Sequence, residues 1–251
     1  MCTLLLAWQV FEDAPLAVAA NRDERLDRPS TPPAVRDWDA RVLAPADAEA
    51  DGTWIGYNEH GVFVAITNRW VDADLAAERS RGLLVRDALG HESAEDAARA
   101  VERAVREHEY AGFNLVVADA DAAVYLEWDG LLAVRTLEPG VHVVVNVGAD
   151  GDYRIPSARP DVGEQQAENA GRVRAALQPE PGEAARDWLD RAAAVIGDHE
   201  YGVCVHGDGY GTRSSSLLLV ETRPDAPDAV TYEFADGPPC ETDYEPVEGQ
   251  F

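Results

Sequence analysis

The chain has 251 residues, enough for one compact domain spanning 1–251 whose core needs no disulfide or metal to hold it. Its 47 acidic residues against 21 basic ones give a net charge of −26, and all 21 basic residues are arginine. Such a surface repels phosphate, which excludes nucleic acid and anionic membrane as partners, while 46% hydrophobic residues exclude disorder as the source of the acidity.

Thr3 to Val10 and Leu16 to Asn21 read as two strands joined by a Glu12-Asp13-Ala14-Pro15 turn. Arg25 to Asp51 carries Pro29, Pro32, Pro33 and Pro45 and predicts an irregular excursion with one short strand around Val42. Thr53 to Tyr57 and Gly61 to Asn68 form a second hairpin with Val62, Val64 and Ile66 alternating. Ser80 to Leu89 and Ser93 to His108 predict helices. Ser93 stands as N-cap before Glu95 and Asp96, and Ala94, Ala97, Ala98, Val101, Ala104 and Val105 form one face. A meander follows: Phe113 to Ala118, Val124 to Trp128, Leu131 to Thr136 and Val141 to Val147. Glu164 to Leu177 and Glu183 to Ile196 make a second helical pair, and strands at Ser215 to Glu221 and Val230 to Phe234 close the chain. Blocks segregated in this way predict an α+β fold of largely antiparallel sheets, a four-layer α/β/β/α sandwich. No apolar run reaches the ~20 residues of a membrane span.

Cys2 is the first residue with chemical promise. Initiator methionine is removed ahead of small residues, and a terminal cysteine then carries its own base, an α-amine with a pKa of about 7.7–8.0 within reach of the thiol. A cysteine that merely starts a strand is the plainer alternative. Asn21-Arg22-Asp23-Glu24 follows the second strand, whose end returns to the start of the first. There Arg22 could lower a thiol pKa and Asp23 could orient an amine, or the run is a solvated turn. Asn68 and Asn146 end apolar strands, as turn formers or as amide donors to an oxyanion. Arg213, in Tyr210-Gly211-Thr212-Arg213, could meet a substrate carboxylate, brace the site or pair with local acids. Three cysteines, Cys2, Cys204 and Cys240, are too few for a disulfide framework, and Cys204-Val205-His206 is too short for a metal site without further ligands. Gly207 to Gly211 is glycine-rich but lacks the βαβ context of a phosphate loop.

Six blocks in order carry a resemblance: Cys2; Ala19-Ala20-Asn21-Arg22-Asp23-Glu24 with Arg28-Pro29-Ser30; Gly52-Thr53-Trp54-Ile55-Gly56; Ala65-Ile66-Thr67-Asn68; Gly112-Phe113-Asn114-Leu115; and Tyr210-Gly211-Thr212-Arg213. Together they resemble the NRDE family, that of the transport and Golgi organization protein 2 homologues, which is similar to N-terminal nucleophile hydrolases of the choloylglycine hydrolase and penicillin acylase branch. The resemblance implies Cys2 as nucleophile, Arg22 and Asp23 as the pair that tunes it, Asn68 and Asn146 as strand-end oxyanion residues, and Arg213 as a supporting arginine. The Asn-Arg-Asp-Glu order departs from the hydrolases' Arg-Asn-x-Asp, which leaves open whether Asp23 or Glu24 holds the amine.

The activity this implies is that of a cysteine amidohydrolase acting on an amide or acyl small molecule without a cofactor. The family's links to lipid or acyl-CoA metabolism and to haem trafficking supply the alternative, a noncatalytic carrier of haem or another hydrophobic small molecule, with His60, His142 and His206 as generic axial candidates. The charge balance adds an expectation about setting. At molar salt the Debye length is about 3 Å and carboxylate self-repulsion is screened, and a lysine-free, acid-rich surface resembles that of haloarchaeal cytosolic proteins. A cytoplasmic location is expected.

Overall fold

The computed structural model describes residues 2–222 and 229–249. In chain order its elements are β1 (Thr3–Trp8), β2 (Leu16–Arg25), β3 (Ser30–Asp37), β4 (Arg41–Asp47), β5 (Ile55–Asn58), β6 (Phe63–Asn68), α1 (Arg81–Ala88), α2 (Ala94–Glu107), β7 (Phe113–Ala118), β8 (Ala123–Trp128), β9 (Leu132–Thr136), β10 (Gly140–Val145), β11 (Gly148–Ala149), β12 (Asp152–Tyr153), α3 (Pro160–Ala176), α4 (Ala185–Gly197), β13 (Tyr210–Glu221), β14 (Ala229–Ala235) and β15 (Glu245–Pro246). The class is α+β with two antiparallel sheets, as the segregated blocks predict.

Contacts divide the chain into two compact units. The first, Met1–Arg28 with Pro139–Val247, holds a sheet whose described strands run β12-β11-β10-β1-β2-β13-β14-β15. Helix α3 packs on β10, and α4 on β2 and β13. Leu4, Leu5 and Leu6 of the inner strand β1 are all buried, which is why that strand reads as an unbroken apolar run rather than an alternation. The second unit, Pro29–Glu138 with Glu248–Phe251, holds the described order β3-β4-β5-β6-β7-β8-β9 with α1 and α2 on one face. Val62, Val64, Leu115, Val117, Val124 and Leu126 meet Leu84, Val85, Ala97 and Val101 there. Each unit is thus one sheet layer carrying one helix layer.

Local chemistry places the helices well. Ser80 and Ser93 both cap, accepting from the backbone N–H of Gly82 and Asp96 at 3.2 Å each. The start of α1 lies against Gly52, where a Cβ would come within 2.2 Å of the Gly82 carbonyl carbon, so only glycine allows this approach.

Four expectations are corrected. Arg25 to Asp51 is not irregular: β3 and β4 pair as a hairpin, and Pro32 and Pro33 are tolerated because β3 is an edge strand whose register shifts between Thr31 and Ala34. The meander breaks after β9, because β10 pairs with β1 in the other sheet. Asn21-Arg22-Asp23-Glu24 lies within β2 rather than after it, since β13 begins at Tyr210, earlier than expected, and supplies the ladder partners. The segment before Ser215 is therefore strand as well.

Candidate active site

Antiparallel register alone gathers one end of the first unit's sheet. Thr3 pairs with Asn21 on one side and Val145 on the other, so the next step of both ladders sets Cys2 beside Arg22 and Asn146. On the far side of β2, Thr212 pairs with Asp23 and Ser214 with Arg22, the register shifting at Arg213.

The contacts follow from that placement. Cys2 N donates to Asn146 Oδ1 at 3.1 Å, and its thiol donates to the Asp23 carbonyl oxygen at 3.5 Å. Asn146 Oδ1 also accepts from Gln166 Nε2 of α3 at 3.0 Å, which fixes the amide with its oxygen toward the Cys2 nitrogen. Asp23 Oδ1 accepts from Thr212 Oγ1 at 2.6 Å, and Thr212 Oγ1 accepts from the Val205 N–H at 2.8 Å. Tyr210 Oη donates to the Asp23 carbonyl at 3.1 Å. Burial pushes the Cys2 thiol above its ordinary value, the Asp23 carboxylate adds to the rise and Arg22 opposes it. Burial likewise pushes the Asp23 carboxyl up, against the pull of the Thr212 hydroxyl. The arrangement is a sulfur and a nitrogen of one residue in a half-buried, oriented setting, where a thiolate is costly and a nearby base is needed to form one.

The other residues of the Asn-Arg-Asp-Glu run divide by burial. Asn21 Nδ2 donates to the carbonyls of Ile196 and Val203 at 2.9 Å each, stapling β2 to the end of α4 and to the chain that follows it. Arg22 and Asp23 are buried, whereas Glu24 sits 3.9 Å from Arg28 at the margin. Of the two carboxylates left open by the sequence, Asp23 is the one beside Cys2. Arg213, the residue at the register shift, directs Nη1 to Asp236 Oδ1 at 3.1 Å. Asn68 closes β6 opposite Phe113 in the second unit. Met1 lies outside the described residues.

Sequence reasoning missed Gln166 and Thr212. The signal for Gln166 was a polar residue on the buried face of α3, three positions before the equally buried Asn169. For Thr212 it was membership of the Tyr210-Gly211-Thr212-Arg213 block.

His142 has a carboxylate as its ring partner. Its Nδ1 lies 2.7 Å from Asp150 Oδ2, and Asp150 Oδ1 accepts from the Val143 N–H at 2.9 Å. Burial alone would raise the Asp150 carboxyl, but His142, the Val143 N–H and Arg174 outweigh it and hold the group below the ordinary carboxylate value. A depressed folded value stabilises the native state above the unfolded value of ~3.9, and the benefit is lost as pH falls through the folded one. Asp150→Asn is expected to cost roughly 1–3 kcal/mol at pH 7, with the gap from the parent chain closing below about pH 4; urea titrations across pH 3–7 read this directly.

The second unit has a buried polar cluster on the sheet face away from its helices. Arg69 Nη2 lies 2.8 Å from Glu127 Oε1 and Arg69 Nη1 donates to Asn114 Oδ1 at 3.0 Å. Asn114 Nδ2 donates to Thr67 Oγ1 at 3.2 Å, and Tyr125 Oη donates to Asn114 Oδ1 at 2.7 Å. Thr67, Asn114 and Glu127 stand directly opposite one another across β6, β7 and β8, which puts them on one face.

Residues 1–226 match the family described as Transport and Golgi organisation 2. The chain belongs to that family. Curated Transport and Golgi organisation 2 homologues resemble it along most of their length: the mouse protein is 28% identical over 230 residues and the cow protein 30% over 236, each alignment covering 82% of both chains. Among solved structures, a penicillin V acylase from Agrobacterium tumefaciens superposes with a TM-score of 0.53 at 14% identity, covering 95% of this chain and 92% of that one. The Caenorhabditis elegans N-acylethanolamine-hydrolyzing acid amidase ortholog superposes at 0.57, also with 14% identity, covering 87% and 92%. The likeness at this identity is one of fold, and this Transport and Golgi organisation 2 family member has the fold of N-terminal nucleophile hydrolases. Among the described residues no helix is long and apolar enough to cross a membrane.

Proposed function

We propose that this protein is a cysteine N-terminal nucleophile amidohydrolase for a small amide or acyl compound. The observation that carries the reading is Cys2 itself: its nitrogen is held by Asn146 Oδ1 at 3.1 Å while its thiol rests on the Asp23 backbone, beside the buried Arg22 and Asp23. Once Met1 is removed, that nitrogen is a free amine. It takes the thiol proton as sulfur bonds to the acyl carbon, and returns it to the departing amine as the C–N bond breaks. Water then cleaves the thioester to the carboxylic acid. Asn146 and Gln166 orient the amine, Arg22 offsets the developing negative charge on sulfur, and Asp23 stabilises the protonated amine. Penicillin V acylase and the N-acylethanolamine amidase, by their names, act on amides, which supports an amide as substrate class here. The charge of −26 supports work in a salt-rich cytoplasm, so the assay belongs at molar KCl.

The test is intact-mass measurement after exposure of the mature chain to a β-lactone acylating agent. One acyl group mapped to Cys2, and lost in Cys2→Ala, is expected; labelling unchanged in Cys2→Ala would overturn the reading. The carrier alternative predicts stoichiometric haem binding independent of Cys2, seen as a Soret band.

A further inference from the structure

His199, Cys204 and His206 lie in the segment between α4 and β13, and Cys240 follows β14. By sequence, Cys204-Val205-His206 lacked further ligands; the fold supplies two. One ligand atom from each of the four residues lies within 4.8 Å of all the others. Cys204 Sγ is 3.5 Å from Cys240 Sγ, His206 Nε2 is 3.1 Å from Cys240 Sγ and 3.7 Å from Cys204 Sγ. The His199 ring stands edge-on to that of His206, their centroids 5.0 Å apart.

We propose that His199, Cys204, His206 and Cys240 form a structural site for one zinc ion. With Zn–S of ~2.3 Å and Zn–N of ~2.0–2.1 Å, a tetrahedron has S···S edges of about 3.8 Å and S···N edges of about 3.5 Å. The three separations fall around these values before any ligand moves. A disulfide requires about 2.05 Å between sulfurs, so the 3.5 Å pair is two thiols and not a bond. Two sulfurs and two imidazoles select zinc over magnesium or calcium, which take oxygen ligands. Four protein donors fill the tetrahedron and leave no position for water, which marks the site as structural. Cys204 forms a buried floor while the other three are exposed, giving the ion an entry path.

The fold also says what the ion would hold. Gly202 takes the left-handed conformation (φ 66°) that turns the chain after His199–Tyr201, and its carbonyl accepts from Asn169. Val203 is bonded to Asn21, and Val205 is bonded to Thr212 through both the backbone and the hydroxyl. Asn21 and Thr212 flank Arg22 and Asp23 in the ladder, so zinc would clamp β14's outgoing chain to the loop that backs the Cys2 site. Both thiols give up their protons to solvent as the sulfur–metal bonds form.

Cobalt(II) titration of the reduced, metal-free full chain tests this. Expected is saturation at one equivalent, with thiolate-to-metal charge transfer and the strong visible bands of tetrahedral cobalt, reversed by zinc. Bound zinc should shield Cys204 and Cys240 from alkylation while leaving Cys2 reactive. Cys240→Ser should weaken cobalt binding by at least the ~10–100-fold that loss of an outer-shell partner costs, and the exposed His199→Ala should do the same without touching a thiol. A weak octahedral spectrum, binding unaltered in both variants, or a Cys204–Cys240 disulfide in protein isolated without oxygen would each overturn the proposal.

Discussion

A chain whose Cys2 stays amide-linked to a preceding residue is expected to acylate about 10²–10⁴-fold more slowly at neutral pH than the mature chain, the range general-base assistance supplies. Burial and the neighbouring Asp23 push the Cys2 thiol above its ordinary value, so the free thiolate is scarce near pH 7. Attack then needs a base, and an α-amine of pKa ~7.7–8.0 is well matched, whereas an amide nitrogen has no basic lone pair. The two forms should also differ in shape. Acylation of the mature chain should rise with deprotonation of the amine and level off. That of the extended chain should keep rising into the alkaline range, following the thiol. Time-resolved mass measurement on an uncleaved N-terminal fusion and on the processed chain gives both profiles, and equal rates would remove the amine from the mechanism.

The largest stability effect is expected in the second unit, from Arg69→Met. Arg69 and Glu127 side chains are 1% and 10% exposed, so losing the guanidinium removes the cation 2.8 Å from a buried carboxylate. Breaking a buried pair from one side costs about 3–5 kcal/mol. Replacing both partners with apolar residues is often neutral, so Arg69→Met with Glu127→Leu should recover most of the loss. Urea midpoints at molar salt separate this from surface pairs, which such salt screens while the buried pair persists. A single-variant loss below about 1 kcal/mol, the range of an exposed pair, would show the pair to be solvated.

Much of the element pattern was legible. The helix at Ser93 was, because an N-cap and a 3.6-residue apolar face are local signals. Strands β1, β5, β6, β7 and β8 were, because apolar runs and alternation mark them. Pairing was not local. Whether Pro32 and Pro33 break a strand depends on which edge of β3 has a neighbour, and whether Asn21-Arg22-Asp23-Glu24 is a turn or a ladder depends on a partner nearly two hundred residues away.

The sequence by itself determined the acidic, lysine-free surface, the helices and many of the strands, and the identity of Cys2, Arg22, Asp23 and Asn146 as residues worth watching, since each is a matter of residue type and near-neighbour spacing. Tertiary structure alone decided that Asn146 turns its oxygen toward the Cys2 nitrogen, that Thr212 and Gln166 complete the cluster, and that Cys240 and His199 join Cys204 and His206. Those placements come from ladder register and from helices laid across the sheet, and both are fixed by which apolar faces bury together, a property of the whole chain that no short window contains.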